Sequence, residues 1–162
     1  MNEPLQNAPP DEASAVTERY ARRRQVPIDR YSFFQPDVLL SVQERQRALL
    51  ALLRSHAVDI AQARVLEIGC GAGGNLLELL RLGFRANHLA GVELLEDRYA
   101  AARHNLPAAT PLWQGDALAL QLPEASQDIV LQSTVFSSLL DYSFQARLAA
   151  AMWRWVKPGG AV

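Results

Sequence analysis

One short stretch constrains the fold of this chain more than any other: residues 65–75, which read VLEIGCGAGGN. The first four residues form an apolar run that predicts a buried parallel strand. Glycines follow, and Leu76 to Leu82 predicts a helix that ends at Gly83. This order brings backbone N–H groups close to a nucleotide, because glycine accepts positive φ and has no side chain to block the approach. We therefore predict an α/β fold of the Rossmann-like, doubly wound type, with a mostly parallel sheet.

The glycine turn fits two nucleotide-binding patterns. Gly69, Gly71 and Gly74 satisfy G-x-G-x-x-G, which is a weak signal by itself. Read from Glu67 to Gly73, the same stretch is acid-x-G-x-G-x-G. In this pattern the chain resembles motif I of the class I S-adenosylmethionine-dependent methyltransferases, in which the acid helps to hold the methionine part of the cofactor. A buried acid needs a partner such as an ammonium group; the alternative is a solvated or salt-bridged glutamate in an ordinary turn.

A second acid follows the next predicted strand, which runs from His88 to Glu93. Glu93 lies about twenty residues after Gly73, the spacing expected of the acid that binds a ribose. A carboxylate can accept hydrogen bonds from both ribose hydroxyls. We therefore expect Glu93 to bind the ribose and Leu94 to lie against the adenine. The alternative is a solvated acid at a strand end.

The step Gly115-Asp116-Ala117 comes directly after a predicted third strand, Thr110 to Gln114. At this place the family resemblance implies contacts with the adenine, from the carboxylate of Asp116 and from the backbone next to it. An aspartate here can also cap the following turn. The two roles are compatible.

The fourth predicted strand, Asp128 to Gln132, ends where open α/β sheets bind ligands. Gln132 and Ser133 are therefore expected to face the cofactor or the acceptor. Many family members carry an acid–histidine pair where this chain has Ser137 and Ser138. That departure removes an obvious general base, and the sequence identifies no catalytic residue.

Together these motifs predict methyl transfer from S-adenosylmethionine to a small-molecule acceptor, with O-, N- and C-methylation all open. A sulfonium methyl group is already activated, so catalysis can rest on alignment and exclusion of water. The predicted cofactor-binding residues are Glu67, Gly69, Cys70, Gly71, Gly73, Asn75, Glu93, Leu94, Asp116, Ala117, Gln132 and Ser133. No metal site is expected, because the three histidines are scattered.

Three segments are predicted along the chain: a disordered tail over 1–16, an N-terminal lid or arm over 17–40, and the cofactor-binding domain over 41–162. Arginines, Tyr20 and Tyr31 in the arm suggest contacts with a ligand, although charged runs are usually solvated. Ser41 to Glu44 reads as a capping box that begins a helix. Lys157 to Gly160 resembles the family's turn before a fifth strand, predicted to begin at Ala161. We expect the domain to be incomplete beyond Val162.

Composition limits the class of protein, its partners and its compartment. Of the 162 residues, 49% are hydrophobic, which predicts a globular fold, and the net charge of −1 argues against a general nucleic-acid-binding protein. A single cysteine excludes an intrachain disulfide and favours a reducing compartment. No apolar run reaches the ~18 residues of a membrane span. We therefore expect a cytoplasmic protein with no membrane or nucleic-acid partner.

Two other functions share the glycine pattern. A nicotinamide-dependent oxidoreductase would use the same G-x-G-x-x-G, but Glu67, the Gly115-Asp116 step and Pro158-Gly159-Gly160 argue against it. A cofactor-binding module without activity is the third possibility, because the family resemblance leads us to expect that strands contacting an acceptor would lie beyond Val162.

Overall fold

The structure is a computed structural model that describes residues 11–23 and 32–162, without the side chain of residue 23. Its helices within these ranges are α1 (Glu12–Arg23), α2 (Pro36–Ser55), α3 (Gly74–Leu82), α4 (Glu96–Asn105) and α5 (Tyr142–Trp155). Its strands are β1 (Val65–Ile68), β2 (Leu89–Glu93), β3 (Leu112–Gln114), β4 (Gln127–Gln132) and β5 (Val156–Ala161). Short 3₁₀ turns precede β2 and follow β3 and β4.

The strands of the described chain form one parallel sheet in the order β3-β2-β1-β4-β5. In the centre, Glu67 of β1 lies opposite Gly91 of β2 and Leu131 of β4. The predicted α/β fold with a parallel sheet is confirmed. Because all strands point the same way, the loops that follow β1, β2, β3 and β4 meet at one edge of the sheet.

Helices bury both faces of the sheet. Because side chains alternate along a strand, residues of β1 contribute to two different hydrophobic clusters. Leu66 and Ile68 pack in a cluster with α5, whereas Val65 packs in a second cluster that includes residues of α2, α3 and α4. At spacings of four, four and three residues, Phe144, Leu148, Met152 and Trp155 lie on one face of α5, and all four are buried in the first cluster. Trp153 lies off this face and is 64% exposed.

The N-terminal boundaries differ from those predicted. Helix α1 begins at Glu12, so the boundary proposed at residue 16 falls inside it, and Val16 is buried in the core. Helix α2 begins at Pro36, so Ser41 to Glu44 lies inside the helix and the predicted capping box is wrong. Proline suits the first helical turn because its φ is already helical and it has no N–H to satisfy.

The C-terminal strand also begins earlier than predicted. Lys157 to Gly160 belongs to β5, which pairs with β4 through an irregular register, rather than forming a turn before it. Lys157 Nζ lies 2.9 Å from both carboxylate oxygens of Asp128 at the start of β4. This ion pair joins the start of β4 to the start of β5, the strand that directly follows α5.

In the part of the chain that the structure describes, no helix combines the length and the apolar character needed to cross a membrane.

Candidate functional site

The glycine turn after β1 is held by hydrogen bonds to the neighbouring strand. The N–H groups of Gly69 and Cys70 donate to the carbonyl of Val92, at 2.8 and 3.1 Å. Gly69 and Gly73 both have positive φ, of 66° and 86°. A Cβ at Gly69 would lie 2.6 Å from Val135, and one at Gly73 would lie 2.8 Å from the Leu106 side chain. Both positions therefore require glycine for conformation and for space.

Glu93 ties this turn to the end of β2. Its Oε2 accepts a hydrogen bond of 2.8 Å from the backbone N–H of Gly71, and its Oε1 accepts one of 2.8 Å from the N–H of Leu95. The residue is 5% exposed. Each carboxylate oxygen has two lone pairs, so both can accept a further hydrogen bond.

Glu67 lies beneath the turn and is 1% exposed. Its Oε1 accepts a hydrogen bond of 2.6 Å from Asn75 Nδ2, while its Oε2 is buried and has no hydrogen-bond partner among the described residues. Burial raises the pKa of this carboxyl to about 7, against the opposing effects of the Asn75 hydrogen bond and the Arg45 charge. A buried acid with an unpaired oxygen suits a cationic ligand group.

Cys70 is a buried spacer in the turn. Its Sγ occupies the space above Gly91, where a Cβ would lie 2.8 Å from the sulfur. Burial, with the charges of Glu67 and Glu93, raises the pKa of the thiol to about 12. A thiol that stays protonated is a poor nucleophile, so the geometry of Cys70 is that of a small residue that fits the turn.

Asp116 follows β3 and caps the 3₁₀ turn that begins at Ala117. Its Oδ1 accepts a hydrogen bond of 2.9 Å from the N–H of Leu118, so the capping role considered from the sequence is present. The other carboxylate oxygen makes no hydrogen bond within the described chain. Gly115 donates its N–H to the carbonyl of Glu93 at 2.9 Å, which joins this turn to the end of β2.

The loop after β4 is polar and sharply turned. Gln132 Oε1 accepts a hydrogen bond from the N–H of Val135 at 3.1 Å, which holds the side chain in its own loop. Thr134 has a φ of 63°, an uncommon value for a residue with a branched side chain. Ser138 is buried, and its hydroxyl lies 3.0 Å from that of Tyr20.

A cavity of about 110 Å³ lies at this edge of the sheet. Residues from α1, α5 and the ends of β1, β2, β3 and β4 line it. The predicted site residues in its wall are Gly69, Glu93, Leu94, Asp116, Ala117 and Ser133. The predicted site residues outside the wall are Glu67, Cys70, Gly71, Gly73, Asn75 and Gln132. Glu67 and Asn75 contact each other below the turn, and Gln132 lines a separate groove beside β5.

Helix α1 covers the cavity, whereas the sequence predicted a covering segment only from residue 17 onward. Glu12 Oε1 accepts from the N–H of Leu140 at 2.7 Å, and Arg19 Nη2 donates to the carbonyl of Ser138 at 3.0 Å while also pairing with Glu12. The apolar spacing of Ala13, Val16 and Tyr20 was the available signal for a helix here. Of the two tyrosines suggested as ligand contacts, Tyr20 lines the cavity and Tyr31 lies outside the described residues.

A family model described as "Methyltransferase domain" matches residues 65–160, from the first residue of β1 to the last glycine of β5. The chain belongs to this methyltransferase-domain family. The predicted membership in the S-adenosylmethionine-dependent methyltransferases is confirmed, and S-adenosylmethionine is the cofactor of the family. The glycine turn and both buried acids lie within the matched residues.

Individual relatives agree with this assignment. The chain is 37% identical over 121 residues to the fatty-acid O-methyltransferase of Mycolicibacterium smegmatis, covering 72% of this chain and 42% of the relative. It is 34% identical over 85 residues to the malonyl-[acyl-carrier protein] O-methyltransferase of Bacteroides fragilis, covering 52% of this chain and 17% of the relative. The chain thus spans less than half the length of these two curated relatives.

Among solved structures, the chain resembles CalS10 of Micromonospora echinaspora, an amino pentose methyltransferase with bound S-adenosylmethionine. The identity is 26%, the TM-score is 0.60, and the match covers 99% of this chain and 56% of that one. The predicted Rossmann-like fold class is therefore confirmed. The relatives described are methyltransferases, so the nicotinamide-dependent alternative has no support.

Proposed function

We propose that this protein transfers a methyl group from S-adenosylmethionine to a small-molecule acceptor, and that the methylated atom is a carboxylate oxygen. The pair of buried acids at the glycine turn is the observation that supports binding of S-adenosylmethionine. Glu93 accepts one hydrogen bond from the glycine turn and one from Leu95, with lone pairs to spare on both oxygens, and Glu67 keeps one oxygen unpaired among the described residues.

The described residues fit the parts of the cofactor by their chemistry. Glu67 would hold the positively charged methionine end, and Glu93 would accept hydrogen bonds from the ribose hydroxyls. Asp116 has one carboxylate oxygen left for the adenine amine, while Leu94 supplies an apolar surface for the ring. When bound, the cofactor supplies a methyl group on a sulfonium that is already activated for in-line transfer. The chain's own task is to bind, to align and to exclude water.

The side chains that line the cavity favour an acceptor that needs no general base. The titratable side chains among the described lining residues are Tyr20, Glu93, Arg98 and Asp116. Near the loop after β4 the polar groups are hydroxyls, of Ser133, Thr134 and Ser138, which are poor general bases at neutral pH. A carboxylate acceptor is ionised at neutral pH, with a pKa of about 4, and needs no base.

Two further observations favour a carboxylate attached to an apolar body. Val16, Leu139, Phe144 and Leu148 give the cavity an apolar wall that suits a hydrocarbon chain. The relative from Mycolicibacterium smegmatis is a fatty-acid O-methyltransferase, and the oxygens of a fatty acid are those of its carboxyl group. The relative from Bacteroides fragilis also methylates an oxygen.

Helix α1 serves as the lid in this proposal, in place of the lid segment 17–40 predicted from the sequence. It is held to the loop after β4 by Glu12, Arg19 and Tyr20, and it closes the cavity over the predicted adenine and ribose contacts. Closure would keep water from the transferred methyl group.

The test is a transfer assay with S-adenosylmethionine carrying a labelled methyl group. A saturated fatty acid, a phenol and a primary amine are offered separately, and products are identified by mass spectrometry. We expect a methyl ester from the fatty acid, and loss of that product in Glu93→Ala. Transfer to the amine or the phenol alone would refute the carboxylate assignment. Cofactor binding without transfer to any acceptor would favour the inactive binding module.

A further inference from the structure

Within residues 11–23 and 32–162, Glu67 is held from one side only, by a chain of two hydrogen bonds that reaches the protein surface. Asn75 Nδ2 donates to Glu67 Oε1 at 2.6 Å, and Asn75 Oδ1 accepts from Arg45 Nη1 at 2.8 Å. The Arg45 side chain, on α2, is 51% exposed. A half-exposed cation on a helix is thereby connected to the acid buried in the central strand.

Arg45 determines the orientation of the Asn75 amide. A guanidinium only donates hydrogen bonds, so the amide oxygen must face Arg45. The amide nitrogen then faces Glu67, where it donates to Oε1. With the opposite orientation, the amide would set a donor against the guanidinium and lose its hydrogen bond to the carboxylate.

We propose that Asn75 and Arg45 are positioning residues for cofactor binding, which hold Glu67 by Oε1 and leave Oε2 for the cofactor's ammonium group, and that binding releases a proton from Glu67. This inference rests on the proposed function. In the proton step, the O–H bond of neutral Glu67 breaks and the carboxylate keeps the electron pair. The carboxylate then pairs with the ammonium group, and the proton passes to the buffer.

The charges around Glu67 set the pH range of this release. Burial raises the pKa of Glu67 to about 7, and the charge of Glu93 from β2 also raises it. The Asn75 hydrogen bond and the Arg45 charge from α2 lower it. Cys70, in the turn, stays neutral because its own pKa is raised to about 12, and Glu78 of α3 pairs with Arg45 at 3.4 Å.

Glu67 is therefore partly neutral near pH 7 in the ligand-free protein. An ammonium group beside Oε2 favours the ionised carboxylate, because an opposite charge lowers the pKa of an acid. Binding must then be accompanied by proton release wherever the free protein holds the proton. Release is largest below the pKa of the free protein and vanishes well above it.

The first measurement counts the protons. S-adenosylhomocysteine, which keeps the ammonium group, is titrated by calorimetry in buffers of different ionisation enthalpy at about pH 6, 7 and 8. We expect about half a proton released near pH 7, more at the lowest pH and less at the highest. Glu67→Gln should bind without this release. The readout does not depend on methyl transfer.

The second measurement tests the two positioning residues by the pH dependence of the dissociation constant. Asn75→Leu should weaken binding by roughly tenfold at neutral pH and move the midpoint of the pH dependence upward, because it removes a hydrogen bond that lowers the pKa of Glu67. Arg45→Gln should move the midpoint in the same direction by less. Arg47→Gln, an exposed arginine on the same helix, is the matched control and should behave as the unmodified protein.

Failure of the positioning roles can be distinguished from failure of the proposed function. Absence of any S-adenosylhomocysteine binding by the unmodified protein would refute the proposed function. Binding without proton release, or variants whose pH midpoints equal that of the control, would overturn the roles of Asn75 and Arg45 and leave the function standing. Arg45→Gln changes an exposed residue, so it remains informative even where circular dichroism shows that Asn75→Leu is unfolded.

Discussion

Glu93 Oε2 accepts a hydrogen bond of 2.8 Å from the backbone N–H of Gly71. The bond joins a residue at the end of β2 to the glycine turn after β1, and the other oxygen of the same carboxylate accepts from Leu95. One buried side chain therefore shapes two loops of the cavity. This relationship gives Glu93 a structural role in addition to its proposed contact with the ribose.

Replacing Glu93 should consequently affect binding and stability together. Glu93→Ala leaves two partly buried N–H groups without their acceptor, at a cost of up to about 1–3 kcal/mol each, and removes the proposed ribose contacts. We expect it to weaken S-adenosylhomocysteine binding more than Asp116→Ala does and to lower the melting temperature. Calorimetry and thermal melting measure both effects. Equal affinity losses in the two variants would show that the ribose assignment is misplaced.

The raised pKa of Glu67 predicts how the stability of the ligand-free protein depends on pH. A carboxyl whose pKa is about 7 when folded and near its ordinary 4.5 when unfolded binds more protons in the folded state between those values. Stability should therefore fall as the pH rises through that window, by on the order of 1–3 kcal/mol. Glu67→Gln should remove the fall and raise stability at neutral pH.

Urea unfolding from about pH 5 to 8 measures this effect. Glu44→Gln removes an exposed carboxylate from α2 and serves as the control, with a pH dependence like that of the unmodified protein. A Glu67→Gln variant that keeps the full decline in stability would mean that another group is responsible.

Gly73 should resist substitution because of Leu106. Gly73→Ala places a methyl group 2.8 Å from the Leu106 side chain at a residue with φ of 86°. The left-handed backbone costs about 1–2 kcal/mol and overpacking about 1–3 kcal/mol more. In a Leu106→Ala background only the backbone cost should remain. A double-mutant cycle on unfolding free energies measures the difference, and zero coupling would contradict the contact.

We expect helix α1 to move when the cofactor enters. The cavity under it is about 110 Å³, smaller than the ~300 Å³ at the low end of ligand pockets. Combining Arg19→Leu with Tyr20→Phe removes contacts to Ser138 and should speed S-adenosylhomocysteine release by roughly tenfold. Arg22→Leu, on the exposed side of the same helix, should not. Stopped-flow displacement measures the rates; equal release rates in the two variants would contradict a lid.

Local features of the sequence determined much of this fold. The apolar run before Gly69, the glycines and the stop at Gly83 were enough to predict β1, its turn and α3, because strand, turn and helix preferences act over a few residues. The spacing of Phe144, Leu148, Met152 and Trp155 predicted the buried face of α5 for the same reason. The positions of Glu67, Glu93 and Asp116 at strand ends followed once the strands were placed.

The tertiary structure decided which of these residues meet. Glu93 accepts from Gly71, twenty-two positions earlier in the chain, and Asn75 bonds Arg45, thirty positions earlier. Helix α1 bonds Ser138 across more than a hundred residues. Contacts of this kind depend on how helices pack on the sheet, which no local pattern contains. The early start of α1 was missed for this reason: a short helix is marginal alone, and burial of Val16 against the core stabilises it.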